Sequence, residues 1–166
     1  MAMKIDVLIV NGVFDTGLAA VLDAFATANE LAVAQGLTSV AFEVTVVGLR
    51  RQVRTKQGFT VPVLPAEGRA AADWVVVPAI GEKAPEPLLA ALAAPEVRAS
   101  AQLLRQWAND GAQVAAACIG TFIAAESGVL TARPSRQRGG SRRFSVSVIP
   151  GLSLMTGVCL SAQAEC

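Results

Sequence analysis

The sequence predicts an α/β domain, an open parallel-sheet sandwich with helices on both faces. Three observations carry the prediction. Short apolar runs rich in β-branched residues, Lys4 to Val10 and Trp74 to Val77, read as strands buried in a parallel sheet. Between the strands, apolar residues recur at helical spacing. The resulting order, strand, helix, strand, strand, helix, strand, helix, is that of a sheet wound with helices.

The first strand spans 4–10 and ends at the turn Asn11-Gly12. From Thr16 to about Gln35, Leu18, Val21, Leu22, Phe25, Ala28 and Leu31 mark one helix face, with Asp15 or Thr16 as its cap and Gly36 past its end. Phe42 to Val47 is the second strand, Gln52 to Val63 a hairpin or meander, and Ala72 to Pro78 the third buried strand. Helices follow over Pro85 to about Ala93 and Glu96 to Asn109, the latter closed by Gly111. Val114 to Ala117 is a further strand and Gly120 to Ser127 a further helix. Ligands of such folds bind at the carboxyl ends of the strands. That places Val13-Phe14-Asp15, Pro78-Ala79-Ile80-Gly81 and Cys118-Ile119-Gly120 at one mouth.

Composition narrows the function classes. The 166 residues suit one core, and 53% are apolar against 16% charged. Apolar runs such as Val75 to Ile80 fall far short of the roughly 20 residues of a membrane span. The N-terminus has no signal-peptide layout, so a cytoplasmic protein is expected, with no membrane partner. A net charge of +1 gives no general footprint for nucleic acid, and Arg50, Arg51 and Arg54 are read as surface charge. Cys118, Cys159 and Cys166 form neither a disulfide framework nor a zinc-ligand spacing. With no histidine, neither a metal nor another cofactor is expected.

Cys118 carries the sharpest chemistry. It lies between a strand and a helix, where a nucleophile is held above the sheet on tight backbone. A helix N-terminus beside it lowers a thiol pKa and offers N–H groups to an anion. Gly120 leaves room for close approach. The competing reading is a small buried hydrophobe, the commonest fate of a free cysteine.

The run Ala116-Ala117-Cys118-Ile119-Gly120-Thr121-Phe122-Ile123-Ala124-Ala125-Glu126-Ser127-Gly128-Val129-Leu130 resembles the ThiJ/PfpI superfamily, whose fold is flavodoxin-like and class I glutamine amidotransferase-like. The resemblance covers roughly residues 4–130. Phe14-Asp15-Thr16-Gly17-Leu18, Asp23-Ala24-Phe25 and Ala28-Asn29 are similar to the N-terminal domain of GlxA-type, AraC/XylS-family transcriptional regulators. The resemblance implies that Cys118 is the elbow nucleophile and that Asp15 is the carboxylate contacting its thiol; helix capping by Asp15 is the alternative. It also implies a small-molecule ligand held by Asp15, Ile80, Gly81, Cys118, Ile119 and Gly120. Hydrolytic relatives carry a histidine after the cysteine. Here that residue is Ile119, so one chain cannot activate the thiol with imidazole. Hydratase-like and glyoxalase-like relatives use a cysteine and a carboxylate, which keeps an enzyme as the alternative. Glu82 and Lys83 either line the mouth or sit on a solvated loop.

After Leu130 the character changes. Residues 1–130 hold 12 acidic and 9 basic side chains, whereas 131–166 hold Glu165 and five arginines. The plain reading of 131–166 is a basic tail. The sharper one is a change of reading frame near Leu130. Read out of register, Arg138-Gly139-Gly140 can encode tryptophan twice. By wobble and synonymous choices alone, the rest can spell WWLAPVFRQRYPGVVADDGRVLVSAGRV, which resembles the continuation found in the regulator subgroup. The middle base of each shifted codon is nearly fixed and largely sets residue polarity, so the match is strongly constrained. The run Phe144 to Ile149 alternates at period two and is a candidate substitute strand.

The expected function is therefore a ligand-sensing domain, 1–130, of an AraC-family regulator without its helix-turn-helix part. It is expected to form homodimers and not to bind DNA by itself. A small ThiJ/PfpI-type enzyme using Cys118 and a non-catalytic dimerisation module are the alternatives.

Overall fold

The run Met3–Leu8 forms β1, the centre of a five-stranded sheet. The computed structural model describes residues 2–37, 39 and 41–129; Cys159, Cys166 and the tail 131–166 lie outside the described residues. After β1 come α1 (Asp15–Ala34), β2 (Phe42–Gly48), β3 (Gln52–Arg54), β4 (Thr60–Pro62) and β5 (Leu64–Pro65). The rest of the order is β6 (Trp74–Val77), α2 (Pro85–Leu92), α3 (Pro95–Asn109), β7 (Gln113–Ala116) and α4 (Gly120–Glu126). The sheet runs β5-β2-β1-β6-β7 with every pair parallel, and β3 and β4 form a separate antiparallel hairpin.

Each expected element is present, with ends moved by a residue or two. The two-residue β5 was not read from the sequence, because it is too short to have a period. Pro85 and Pro95 open α2 and α3 at positions where the missing N–H costs nothing. Gly36 closes α1 at φ +69°, a conformation that disfavours any side chain. The capping expectation for α1 is corrected. Phe14 occupies the cap without a side-chain bond, and Asp15 is the first helical residue, its carboxylate committed elsewhere.

The pleat of β1 divides the core. Ile5, Val7 and Ile9 pack with Leu18, Val21, Leu22 and Phe25 under α1. Leu8 and Val10 join Val75, Val77, Leu104, Trp107 and Ile123 under α3 and α4. Helices therefore cover both faces, one on the first and three on the second. Asp6 shares a face with Leu8 and is 1% exposed. Arg69 neutralises it with two parallel bonds, Nε to Oδ2 at 2.9 Å and Nη2 to Oδ1 at 3.1 Å. Donating to the Asp6 carboxylate raises the pKa of Arg69 above its ordinary value. Trp107 Nε1 donates to the Arg69 carbonyl at 3.2 Å, which fastens this loop over the core.

One expectation about membranes needs correction. At 20 residues and mean hydropathy 1.3, α1 meets the length and composition of a membrane span. It lies instead along the sheet, where Asn29 Nδ2 donates to the Phe42 carbonyl at 2.9 Å and Asn29 Oδ1 accepts the Phe42 N–H at 2.8 Å. Leu18 and Ala32 are buried against the fold.

Candidate functional site

Strand order fixes where the mouth opens. From β1 the chain moves outward through β2 to β5, and from β6 it moves the other way to β7. The winding reverses between β1 and β6, and loops leaving there diverge around a crevice. The segments after these strands are 13–15 and 78–81. Residues 117–120 follow β7, beside β6.

Backbone bonds lace the three segments together. Phe14 N–H donates to the Ala79 carbonyl at 2.8 Å, Gly81 N–H to Gly12 at 2.7 Å, and Val13 bridges Ile80. On the β7 side, Ala117 N–H donates to the Val77 carbonyl at 3.0 Å. The β3–β4 hairpin enters the same array. Gly12 N–H donates to Arg54 at 2.8 Å and Lys56 N–H to Val13 at 2.9 Å. Gly81 lets the hairpin approach, since a Cβ there would lie 2.5 Å from Lys56 Cβ.

Cys118 stands at the turn from β7 into α4. It is exposed and is the sole non-glycine residue at positive φ, +51°, among the described residues. A left-handed side chain at this turn is the strained elbow the sequence pattern implied. The buried-hydrophobe reading of Cys118 is excluded by its exposure. Gly120 makes the turn possible: a Cβ there would overlap the Val77 carbonyl oxygen and lie 2.6 Å from that of Pro78. The expected supply of helix N–H groups is smaller than the sequence implied. Gly120, Thr121 and Phe122 donate back to Ala117, Cys118 and Ile119 at 2.9–3.0 Å, in a tight first turn. The amides of Cys118 and Ile119 have no bonded acceptor among the described residues.

Asp15 faces the hairpin. Its Oδ2 accepts the Gln57 N–H at 3.1 Å. The neighbouring Thr55 side chain, opposed by partial burial and aided by the Gln57 amide, holds its carboxyl below the ordinary value of 3.8. The implied contact between Asp15 and the thiol is not formed: no hydrogen bond joins Asp15 to Cys118 among the described residues. Glu82 is paired with Lys56, and Lys83 lies 5.2 Å over the Phe14 ring. Glu82 is half-buried and Lys83 exposed, so the loop after Gly81 is tethered by these contacts while staying at the surface. Ile80 and Gly81 are buried, and Ile119 is half-buried.

Sequence reasoning missed Asn11, Thr55, Lys56, Gln57 and Glu96. They lie in or beside the segment read as a hairpin or meander over Gln52 to Val63, at the turn Asn11-Gly12 and in the α3 helix, and nothing local tells which loop a hairpin touches. Arg50, Arg51 and Arg54 are exposed, as read, though Arg50 lies 3.9 Å from Glu96. An open groove of about 370 Å³ between α3 and α4 is lined by Arg98, Gln102, Arg105 and Glu126 and does not include Cys118.

This architecture is that of the ThiJ/PfpI fold. A ThiJ/PfpI family protein from Pseudomonas syringae matches with TM-score 0.58 and 14% identity, covering 77% of this chain and 47% of that one. Two regulators share the fold. One is a candidate transcriptional regulator from Vibrio parahaemolyticus, with TM-score 0.60, 23% identity, and coverage of 78% of this chain and 63% of the other. The second is an AraC family transcriptional regulator from Pseudomonas putida, with TM-score 0.58, 22% identity, and coverage of 77% and 62%. The chain thus spans less than two thirds of each of these solved chains. No family model and no curated protein matches the sequence.

Proposed function

We propose that residues 1–130 are the ligand-sensing domain of an AraC-family transcriptional regulator, with Asp15, Ile80, Gly81, Cys118, Ile119 and Gly120 around the ligand. The observation that carries this reading is the state of Cys118: an exposed thiol at the strand end, in a chain without histidine, with no side-chain hydrogen-bond partner among the described residues. A neighbouring base is one means of activating a catalytic thiol, a lowered pKa at a helix N-terminus being another. A mouth with the elbow but without that partner is suited to holding a small molecule. The fold shared with two solved regulators supports the same assignment.

The test is a thermal-shift screen of small carbonyl, amide and amine compounds on the full chain, with turnover followed on every hit. The sensor reading expects a compound that raises the melting temperature and is recovered unchanged. Turnover that vanishes in Cys118→Ala would replace it with the hydratase- or glyoxalase-like enzyme. Under this proposal the protein is cytoplasmic and dimeric, which light scattering measures, and this chain does not retard operator DNA. The tail 131–166 is proposed to be out of frame. Sequencing the coding DNA past Ala125 decides this, because stops in the alternative frame would exclude it.

A further inference from the structure

The loop that leads into Asp15, the first residue of α1, is fastened to the first turn of α3. Asn11 precedes this loop, and its side-chain amide is used at both ends. Nδ2 donates to Glu96 Oε2 at 2.7 Å, and Oδ1 accepts the Arg54 N–H of the hairpin at 2.9 Å. The Asn11 backbone N–H also points to Glu96 Oε1, at 3.4 Å. Glu96 lies in the first turn of α3 with its side chain 14% exposed, where the helix dipole favours a negative charge.

The charge of Glu96 explains the orientation. An ionised carboxylate only accepts, so Asn11 must present its NH₂ to Glu96 and its oxygen to Arg54. Turning the amide over would set oxygen against carboxylate and NH₂ against N–H, losing both bonds. Glu96 therefore selects the one rotation of Asn11 that grips the hairpin. The hairpin in turn supplies the Gln57 N–H to Asp15 and Lys56 to Glu82.

We propose that Glu96 is a positioning residue for the ligand mouth, acting through Asn11 on the hairpin at 54–57. The proposal takes from the sensor reading only what the mouth holds. Its test uses no ligand, so failure to find a ligand and failure of the strut are separate results.

The experiment compares amide hydrogen exchange and carboxyl titration, both by NMR, in the full chain and in Glu96→Ala, Glu96→Gln and a core control, Leu104→Ala. In Glu96→Ala the amides of Arg54 and Gln57 are expected to exchange about tenfold faster while the β1 and β6 amides keep their protection. The Asp15 pKa should rise toward its ordinary value as the hairpin's Thr55 side chain, and with it the Gln57 amide, loosens its hold on the carboxylate. Glu96→Gln, which keeps one accepting oxygen but puts an NH₂ where the other was, should restore both in part. Unchanged exchange at 54 and 57 in a folded Glu96→Ala protein would overturn the proposal. So would a rise spread evenly over the sheet, as Leu104→Ala is expected to give.

Discussion

The two halves of the mouth are built by different means. On the carboxylate side, side chains do the holding: Asn11 joins Glu96 to Arg54, Asp15 takes the Gln57 amide, and Lys56 pairs with Glu82. On the thiol side, backbone does it. Cys118 has no side-chain partner among the described residues, and its place follows from the β7 strand end, a positive φ and the contact of Gly120 with two carbonyls. The difference teaches that the two halves respond to different substitutions. The thiol half depends on volume and φ, the carboxylate half on polar partners and pH.

The largest effect should come from Gly120→Ala, which drives a methyl into the Val77 and Pro78 carbonyls. Backbone there cannot swing aside as a side chain would, so a loss of about 3 kcal/mol is expected in chemical denaturation. A loss below about 0.5 kcal/mol, the range of an ordinary surface change, would mean that α4 is not pinned by this contact. Gly81→Ala makes a similar overlap with Lys56, but a lysine stem can shift. The expected loss is about 1–2 kcal/mol, accompanied by faster exchange at the hairpin. If Gly81→Ala cost more than Gly120→Ala, the contrast between the two halves would be reversed.

Cys118→Gly should remove the strain of a side chain at φ +51°. It is expected to leave the fold as stable or to stabilise it by about 1 kcal/mol, whereas Cys118→Val should destabilise it. Denaturation midpoints of the two variants measure the strain directly. The smallest effect concerns pH. Asp15 has a folded pKa below its ordinary 3.8. Its contribution is therefore fully present above that value and is lost as pH falls through the lowered folded pKa. Asp15→Asn should flatten this part of the acid limb of stability against pH and leave the neutral region with little pH dependence from this site. An acid limb identical to that of the parent would place the loss in other carboxylates.

Strands and helices were legible because their signals are local. Trp74-Val75-Val76-Val77 has no polar position, and Leu18, Val21, Leu22 and Phe25 mark one helix face. The elbow was legible for the same reason, as Cys118 and Gly120 follow a strand directly. Polar partnerships were not. Asp6 looks like one more strand residue until Arg69, 63 positions away, is seen to neutralise it. Asn11 reads as a turn former, yet its partners are Arg54 and Glu96. Asp15 was weighed between a cap and a thiol contact, whereas its bond goes to a hairpin tip 42 residues on. Such pairings depend on which loops the sheet order brings together, and no window of sequence contains that order.

The position of β1 between β2 and β6 also sets a schedule for the nascent chain. Everything the carboxylate half requires, apart from Glu96, has left the ribosome once Glu82 emerges. Cys118 and its glycine come later, on a strand that can only add to the β6 edge. Domains generally fold as units, so the wall beside β6 is completed only when α3 and β7 bring Leu104, Trp107 and Val114 into the shared core. An interruption of synthesis between these points would leave β6 without its β7 neighbour, and an early one would also remove the α3 side chains that cover it and the Glu96 that holds Asn11.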